Sequence, residues 1–262
     1  MNVIDCHVHS ELSFDSREPM ENYVRQRAQR GDKYFITTEH VDLESWAIGG
    51  EDDIAPDFDR QQRLVKELNE KYPVEVLLGV EIGWRKSIHQ RNVELALSKP
   101  FDMIILSVHE VEYADVSTPQ FSYGKTTDQC YDEYLNCIID AINSFDNFDT
   151  FGHVDYVLRY VGHTDLSKHK EKLTQIFKML IERGKALEIN TKVIHNPQAV
   201  ERMKYIVQLY ASVGGEKITL GSDAHTADKY KNGFDLVIET LKANNINSVC
   251  GYVGRKEISL PI

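Results

Sequence analysis

No run of about 18 apolar residues occurs in the 262-residue sequence, so no membrane-spanning helix is expected. Cysteine is scarce. Cys6, Cys130, Cys137 and Cys250 show neither C-x-x-C spacing nor the density of a disulfide framework, and they are expected to be buried thiols. Cys130 and Cys137 lie two helical turns apart, as on one helix face. The first residues lack a basic region followed by an apolar core, which leads to the expectation of a cytoplasmic protein. Positive charge is also in deficit: 30 Lys and Arg face 41 Asp and Glu, a net −11, and no segment clusters the basic residues. A sequence-independent grip on nucleic acid is thereby excluded, while small anionic substrates remain open if metal or a few Arg neutralise them. No low-complexity tract, linker or internal repeat divides the chain. With 42% apolar and 27% charged residues, it is expected to fold as one globular domain.

Short runs rich in Val, Ile and Phe recur along the chain, each followed by a stretch with helical spacing. Strands are expected at Val3–Cys6, Tyr34–Thr37, Val74–Val80, Met103–Ser107, Thr150–Gly152, Ala186–Ile189 and Ile218–Gly221, with a weaker one at Val249–Val253. Helices are expected at Asp57–Lys71, Asp128–Asn143, Ser167–Arg183, Pro197–Val213 and Ala227–Asn244, with Pro197 in a first turn and Gly184 at a helix end. Strands that are apolar on both faces and separated by helices imply a parallel sheet, and seven or eight such units most simply close into a barrel. Two connections, Val41–Pro56 and Glu110–Thr127, are longer than the fold requires and are expected to be binding loops.

Six of the ten histidines coincide with expected strand ends: His7 and His9, His40, His109, His153 and His225. Carboxylates occupy equivalent positions, namely Glu81, Asp223 and, in the loop behind His9, Asp15. The carboxyl ends of all strands in a parallel barrel lie on one face, so these nine side chains are expected to share one pocket. Strand alternation points His7 and His9 to the same side, and Asp223-Ala224-His225 repeats that chelating arrangement. Imidazole mixed with carboxylate suits Zn²⁺, Mn²⁺ or Fe²⁺, and a carboxylate can bridge two ions. Any one of these histidines could be a core residue, but six coincidences with strand ends are not explained that way. His89, His163, His169 and His195 fall in helices or their flanks and are assigned structural roles.

His7-Val8-His9, Glu39-His40, Gly79-Val80-Glu81, Val108-His109, Gly152-His153-Val154-Asp155 and Gly221-Ser222-Asp223-Ala224-His225 resemble, in order, the motifs of the PHP (polymerase and histidinol phosphatase) family. The resemblance implies an α/β fold, a distorted (β/α)7 TIM-like barrel, with three divalent ions at the carboxyl ends of the strands. It implies one ion held by His7, His9, Glu81 and Asp223, a second by Glu81, His109 and His153, and a third by Asp15, His40 and His225. The position of Asp15 is often His in other branches; a carboxylate there adds charge and hardness, which favours Mn²⁺ or Fe²⁺ over Zn²⁺. Chain length and the segment Ser13-Phe14-Asp15-Ser16-Arg17 resemble the stand-alone branch that hydrolyses L-histidinol phosphate.

The implied reaction is attack on phosphorus by a hydroxide bridging the first two ions, since cations lower the pKa of bound water to about 7. Arg17 and Arg159 are the candidates for a clamp on the phosphate oxygens, although either could be a surface ion-pair residue. Asp223 or a coordinated water could protonate the leaving alkoxide. Asp42, Glu44, Glu110, Glu112 and Asp115, with Trp46, Trp84 and Tyr113, are candidates for the ammonium and imidazole of the substrate, or ordinary loop residues. Two other classes remain. A phosphodiesterase or nucleotide phosphatase of the same family would share the cluster, though net charge disfavours a polynucleotide. A non-catalytic metal-binding barrel would be expected to show a broken ligand set, and none of the nine positions is broken.

Overall fold

A computed structural model describes residues 3–262. Its strands are β1 (Tyr34–Asp42), β2 (Glu75–Gly83), β3 (Met103–Ser107), β4 (Glu110–Val111), β5 (Ala114–Asp115), β6 (Thr150–Phe151), β7 (Ala186–Asn190), β8 (Ile218–Gly221), β9 (Ser248–Val253) and β10 (Lys256–Pro261). Six of them form a curled parallel sheet in the order β1-β2-β3-β6-β7-β8. The helices are α1 (Met20–Arg30), α2 (Phe58–Lys71), α3 (His89–Ser98), α4 (Pro119–Ser122), α5 (Thr127–Ser144), α6 (Lys170–Glu182), α7 (Pro197–Ser212) and α8 (Phe234–Ala243). Among the described residues, no helix is long and apolar enough to cross a membrane.

The expected strand Val3–Cys6 forms no regular ladder. It runs extended between the two sheet edges: Cys6 N–H donates to Leu220 O at 2.8 Å, and Asp223 N–H to His7 O at 2.8 Å. On the other side, Thr38 N–H donates to Val8 O at 2.9 Å. The ladder is interrupted because the chain after β8 turns at Asp223, a non-glycine residue at φ 51°. Segment 3–9 therefore closes the ring as a seventh stave. The expected weak strand at 249–253 exists, but it pairs antiparallel with β10 instead of joining the parallel sheet. That hairpin covers the amino-terminal end of the barrel, where Ile4, Ile36, Leu77, Met103, Ile105, Cys250 and Tyr252 pack together.

The helices follow from their termini. Asp57 accepts from Arg60 N–H, Thr126 and Gln129 form a reciprocal capping box, and Asn196 caps a helix that opens on Pro197. The short β4, β5 and α4 and the strand β10 were not expected, nor were two longer helices, α1 and α3. Each of these two helices has few apolar residues, so its periodicity is faint, and each is held by packing, as through Met20, Tyr23 and Val24 of α1. The last helix begins at Phe234, not Ala227, because Gly233 takes a left-handed conformation (φ 79°) ahead of it. The four cysteines are free; Cys137 is only half-buried.

Strand alternation explains where the site lies. Ile36, Thr38 and His40 share one face of β1, Leu77, Gly79 and Glu81 one face of β2, and Met103, Ile105 and Ser107 one face of β3. Each inward row thus passes from apolar at the amino end to polar at the carboxyl end. The interior is a packed plug below and a polar basin above.

Candidate metal centre

Glu81 is the hub of that basin. It is fully buried, and its two oxygens face five imidazoles. Oε1 lies 3.1 Å from His109 Nε2 and 2.8 Å from His153 Nε2. Oε2 lies 3.2 Å from His7 Nε2, 3.6 Å from His9 Nε2 and 2.8 Å from His40 Nδ1. Asp223 Oδ1 stands 3.6 Å from His9 Nε2 and 3.6 Å from His225 Nδ1. Asp15 reaches in from the loop, its Oδ2 lying 2.8 Å from His225 Nε2 and 3.6 Å from His40 Nε2. All nine expected ligands are brought together.

A divalent ion fits this donor set. His7 Nε2, His9 Nε2, His40 Nδ1, Glu81 Oε2 and His153 Nδ1 are buried without a well-formed hydrogen bond. Buried polar atoms are ordinarily satisfied, and Glu81 Oε2 with the three unsatisfied imidazole nitrogens of His7, His9 and His40 facing it is what a cation would satisfy. Ligand atoms of His7, His9 and Glu81, and again of Glu81, His109 and His153, lie within 4.8 Å of one another.

A further ring of groups fixes the imidazoles. His7 Nδ1 lies 2.6 Å from Glu188 Oε1, and His109 Nδ1 2.8 Å from Asp42 Oδ1. Such carboxylate partners make Nδ1 the donor and leave Nε2 for the ion. His9 Nδ1 lies 3.2 Å from Ser13 Oγ, which donates to Glu39 at 2.5 Å. Glu188 also accepts from His153 N–H at 2.8 Å. Sequence reading missed Glu188; its signal was a lone carboxylate inside the apolar strand Ala186–Asn190. Asp42, expected near the rim, lies there and also holds the His109 ring through Nδ1.

Charge is concentrated to match. Burial pushes Glu81 up, but the imidazoles of His7, His109 and His40 overcome this and hold it well below the usual carboxylate range. Asp223 is likewise held well below it, against burial, by Arg159, His7 and Lys192. Burial would lower His7 and His109, yet Glu188 and Glu81, and Asp42 and Glu81, raise them well above the usual imidazole value. His40 is pushed up to about 10 by Glu81 and Asp15, again against burial. His9 is pushed well down by burial and by neighbouring imidazoles.

Of the two clamp candidates, Arg159 reaches the site: its Nη1 donates to Asp223 Oδ2 at 3.0 Å and its Nη2 to Asn190 Oδ1 at 2.8 Å. Arg17 stands exposed on the rim and donates to the carbonyls of Phe14 and Ser16. The two long connections are ordered and latched together by Glu110, which is buried, accepts from Ser45 Oγ and Trp46 N–H, and pairs with Arg85. Glu110 is thereby committed to structure. Trp84 is buried and donates to His89 Nδ1, and Glu44 pairs with Arg91, so neither faces the basin. Asp42 and Asp115 do line its mouth, with Phe14, Asp15, His40, His109 and Tyr156. Glu112 and Tyr113 line a separate cleft against α5. His169 sits between Asp128 and Asp132 as a structural residue, and His163 and His195 are exposed.

Known proteins resemble this chain in sequence and in fold. The histidinol-phosphatase of Lactococcus lactis is 31% identical over 236 residues, 87% of this chain and 86% of that protein. A "probable histidinol-phosphatase" of Clostridium acetobutylicum is 26% identical over 251 residues, 94% of this chain and 96% of its own. The crystal structure of the L. lactis histidinol phosphate phosphatase, complexed with zinc, L-histidinol and phosphate, superposes with a TM-score of 0.90. It is 28% identical and covers 98% of this chain and 99% of that one. The PHP domain matches residues 5–192, and with the L. lactis relative this settles the family: the chain belongs to the PHP domain family.

Proposed function

We propose that this protein is a histidinol-phosphatase, a metal-dependent phosphomonoesterase that hydrolyses L-histidinol phosphate to L-histidinol and phosphate in histidine biosynthesis. The observation that carries the reading is the basin itself: Glu81 with eight further imidazole and carboxylate side chains gathered around it, five atoms of the set buried and unsatisfied, in a chain similar end to end to a zinc-containing histidinol phosphate phosphatase. As an enzyme of amino-acid biosynthesis it acts in the cytoplasm. Its net charge of −11 fits a small ester confined to the basin better than a polynucleotide.

Three divalent ions are proposed. His7, His9, Glu81 and Asp223 would hold the first, Glu81, His109 and His153 the second, and Asp15, His40 and His225 the third. Zn²⁺, Mn²⁺ and Fe²⁺ all suit these donors. When bound, such ions lower the pKa of coordinated water to about 7 and offset the phosphate charge.

The chain supplies the rest. Water attacks phosphorus in line, and the bond from phosphorus to the alcohol oxygen breaks. Arg159 keeps Asp223 ionised, as a ligand has to be, and the proton that the attacking water loses would return to the leaving alkoxide through Asp223 or a coordinated water. Arg159 reaches the phosphate oxygens from inside the basin, and Arg17 does so from the rim after releasing its two carbonyls. Asp42 and Asp115 place negative charge at the mouth, where the substrate carries its ammonium and imidazole.

The test is phosphate release by apo-protein reloaded with Mn²⁺, Fe²⁺ or Zn²⁺, from L-histidinol phosphate beside a nucleoside monophosphate and a phosphodiester. Strong preference for histidinol phosphate, abolished by chelator, is expected. Preference for another ester would keep the cluster and overturn the substrate.

A further inference from the structure

Lys192 lies just beyond β7 and belongs to none of the strand-end motifs. Its backbone is pinned: Thr191 N–H donates to Gly221 O at 2.8 Å, and Lys192 N–H donates to Asn190 Oδ1 at 3.0 Å. The ammonium then reaches over the ligand pair on the neighbouring strand. Nζ donates to Asp223 O at 2.7 Å, lies 2.6 Å from His225 Nδ1, and stands 3.5 Å from Asp223 Oδ1. Arg159 holds the other oxygen of the same carboxylate, and its Nη2 shares the Asn190 Oδ1 that fixes Lys192. Two cations thus flank one carboxylate, one per oxygen, both hung from Asn190.

We infer that Lys192 is the second inner arm of the phosphate cradle, facing Arg159 across Asp223; this rests on the phosphomonoesterase reading of the basin. Two physical consequences of filling the basin free it for that role. A ligand carboxylate shares its negative charge with the ion, so Asp223 no longer compensates two cations. His225, if it ligates through Nε2, carries its proton on Nδ1, for which Asp223 O at 3.0 Å is an acceptor. An N–H and an ammonium cannot share the present 2.6 Å contact, and the Lys192 side chain is about one-third exposed, so it is not locked in place by burial. An anionic phosphate between Arg159 and Lys192 restores the lost counter-charge to both. Lysine acts there as a point charge, arginine as a fork.

The test compares wild type, Lys192→Met and Lys192→Arg, each reloaded with metal. Three quantities are measured: metal per chain, calorimetric affinity for inorganic phosphate, and kcat and KM for L-histidinol phosphate. Lys192→Met is expected to keep its metal content while phosphate affinity falls about 10- to 100-fold, with kcat/KM falling in parallel. Lys192→Arg is expected to restore most of both. Unchanged phosphate affinity in Lys192→Met would overturn the inference. So would loss of metal with normal phosphate affinity per loaded site, which is the signature of a purely structural lysine. Wild-type protein that binds phosphate yet does not hydrolyse histidinol phosphate would overturn the proposed substrate alone, and the phosphate arm would still decide Lys192.

Discussion

Glu81 touches five imidazoles, so its removal strips the common partner from all of them. Glu81→Ala is expected to lose at least one ion per chain and to lower turnover by about 100-fold or more, measured by elemental analysis and phosphate release. Glu188→Gln preserves shape but weakens the hold on His7 Nδ1, and metal affinity should fall about 10- to 100-fold with the fold intact. Arg17→Ala is expected to keep full metal content and to lower kcat/KM less than Arg159→Ala does, because only Arg159 already stands on Asp223. Unchanged kcat/KM would remove Arg17 from the clamp. The pH dependence has a definite sign. In the metal-free protein His7, His40 and His109 hold protons above the ordinary imidazole value. Their contribution to stability is complete below about pH 6.5 and is lost as pH rises through their raised values, about 10 for His40. Glu81 and Asp223 contribute above the ordinary carboxylate range and lose that contribution as pH falls through their lowered values. Metal loading at pH 8 must therefore displace protons, and a pH-stat should record their release. Loading without proton release would contradict the assigned charge states.

The ligand positions depend on how strands meet, and Gly221 at the end of β8 shows how closely. A Cβ there would overlap Glu188 Oε1 and come within 2.6 Å of His7 Cβ. Gly221→Ala is thus expected to displace both groups and weaken metal binding more than it lowers the thermal midpoint. Expected helices with strong amphipathic spacing agree with the structure to within a residue or so for α2, α5 and α7, where Asp57, Thr126 and Asn196 cap them. Strand limits were underestimated for β1 and β2, which run to Asp42 and Gly83. Polar ligands at their ends broke the apolar pattern from which the limits were read.

Across the whole molecule the proposed ligands come from residue 7 to residue 225, so bound metal would tie the start of the chain to its last parallel strand. Ligand that binds only the native state stabilises by mass action, about 4 kcal/mol at about 1,000 times Kd. For a chain of this size that corresponds to about 10 °C in the thermal midpoint. Chelation should lower the midpoint by that order, and an unchanged midpoint would argue against ligation across the barrel.

The sequence alone determined which side chains gather in one basin at the carboxyl ends of the strands, because strand alternation and the common polarity of parallel strands are local and general rules. His7, His9, His40, Glu81, His109, His153, Asp223 and His225 were legible for that reason. Only the tertiary structure decided what surrounds them. Glu188 meets His7 across 181 residues, Asp42 meets His109 across 67, and Lys192 meets His225 across 33. Such pairings are set by which strands are neighbours and by their register, and neither leaves a mark in the spacing of one segment. Closure of the ring by an extended stave rather than a regular strand was likewise a tertiary outcome, since it depends on the turn at Asp223 that its neighbour has to make.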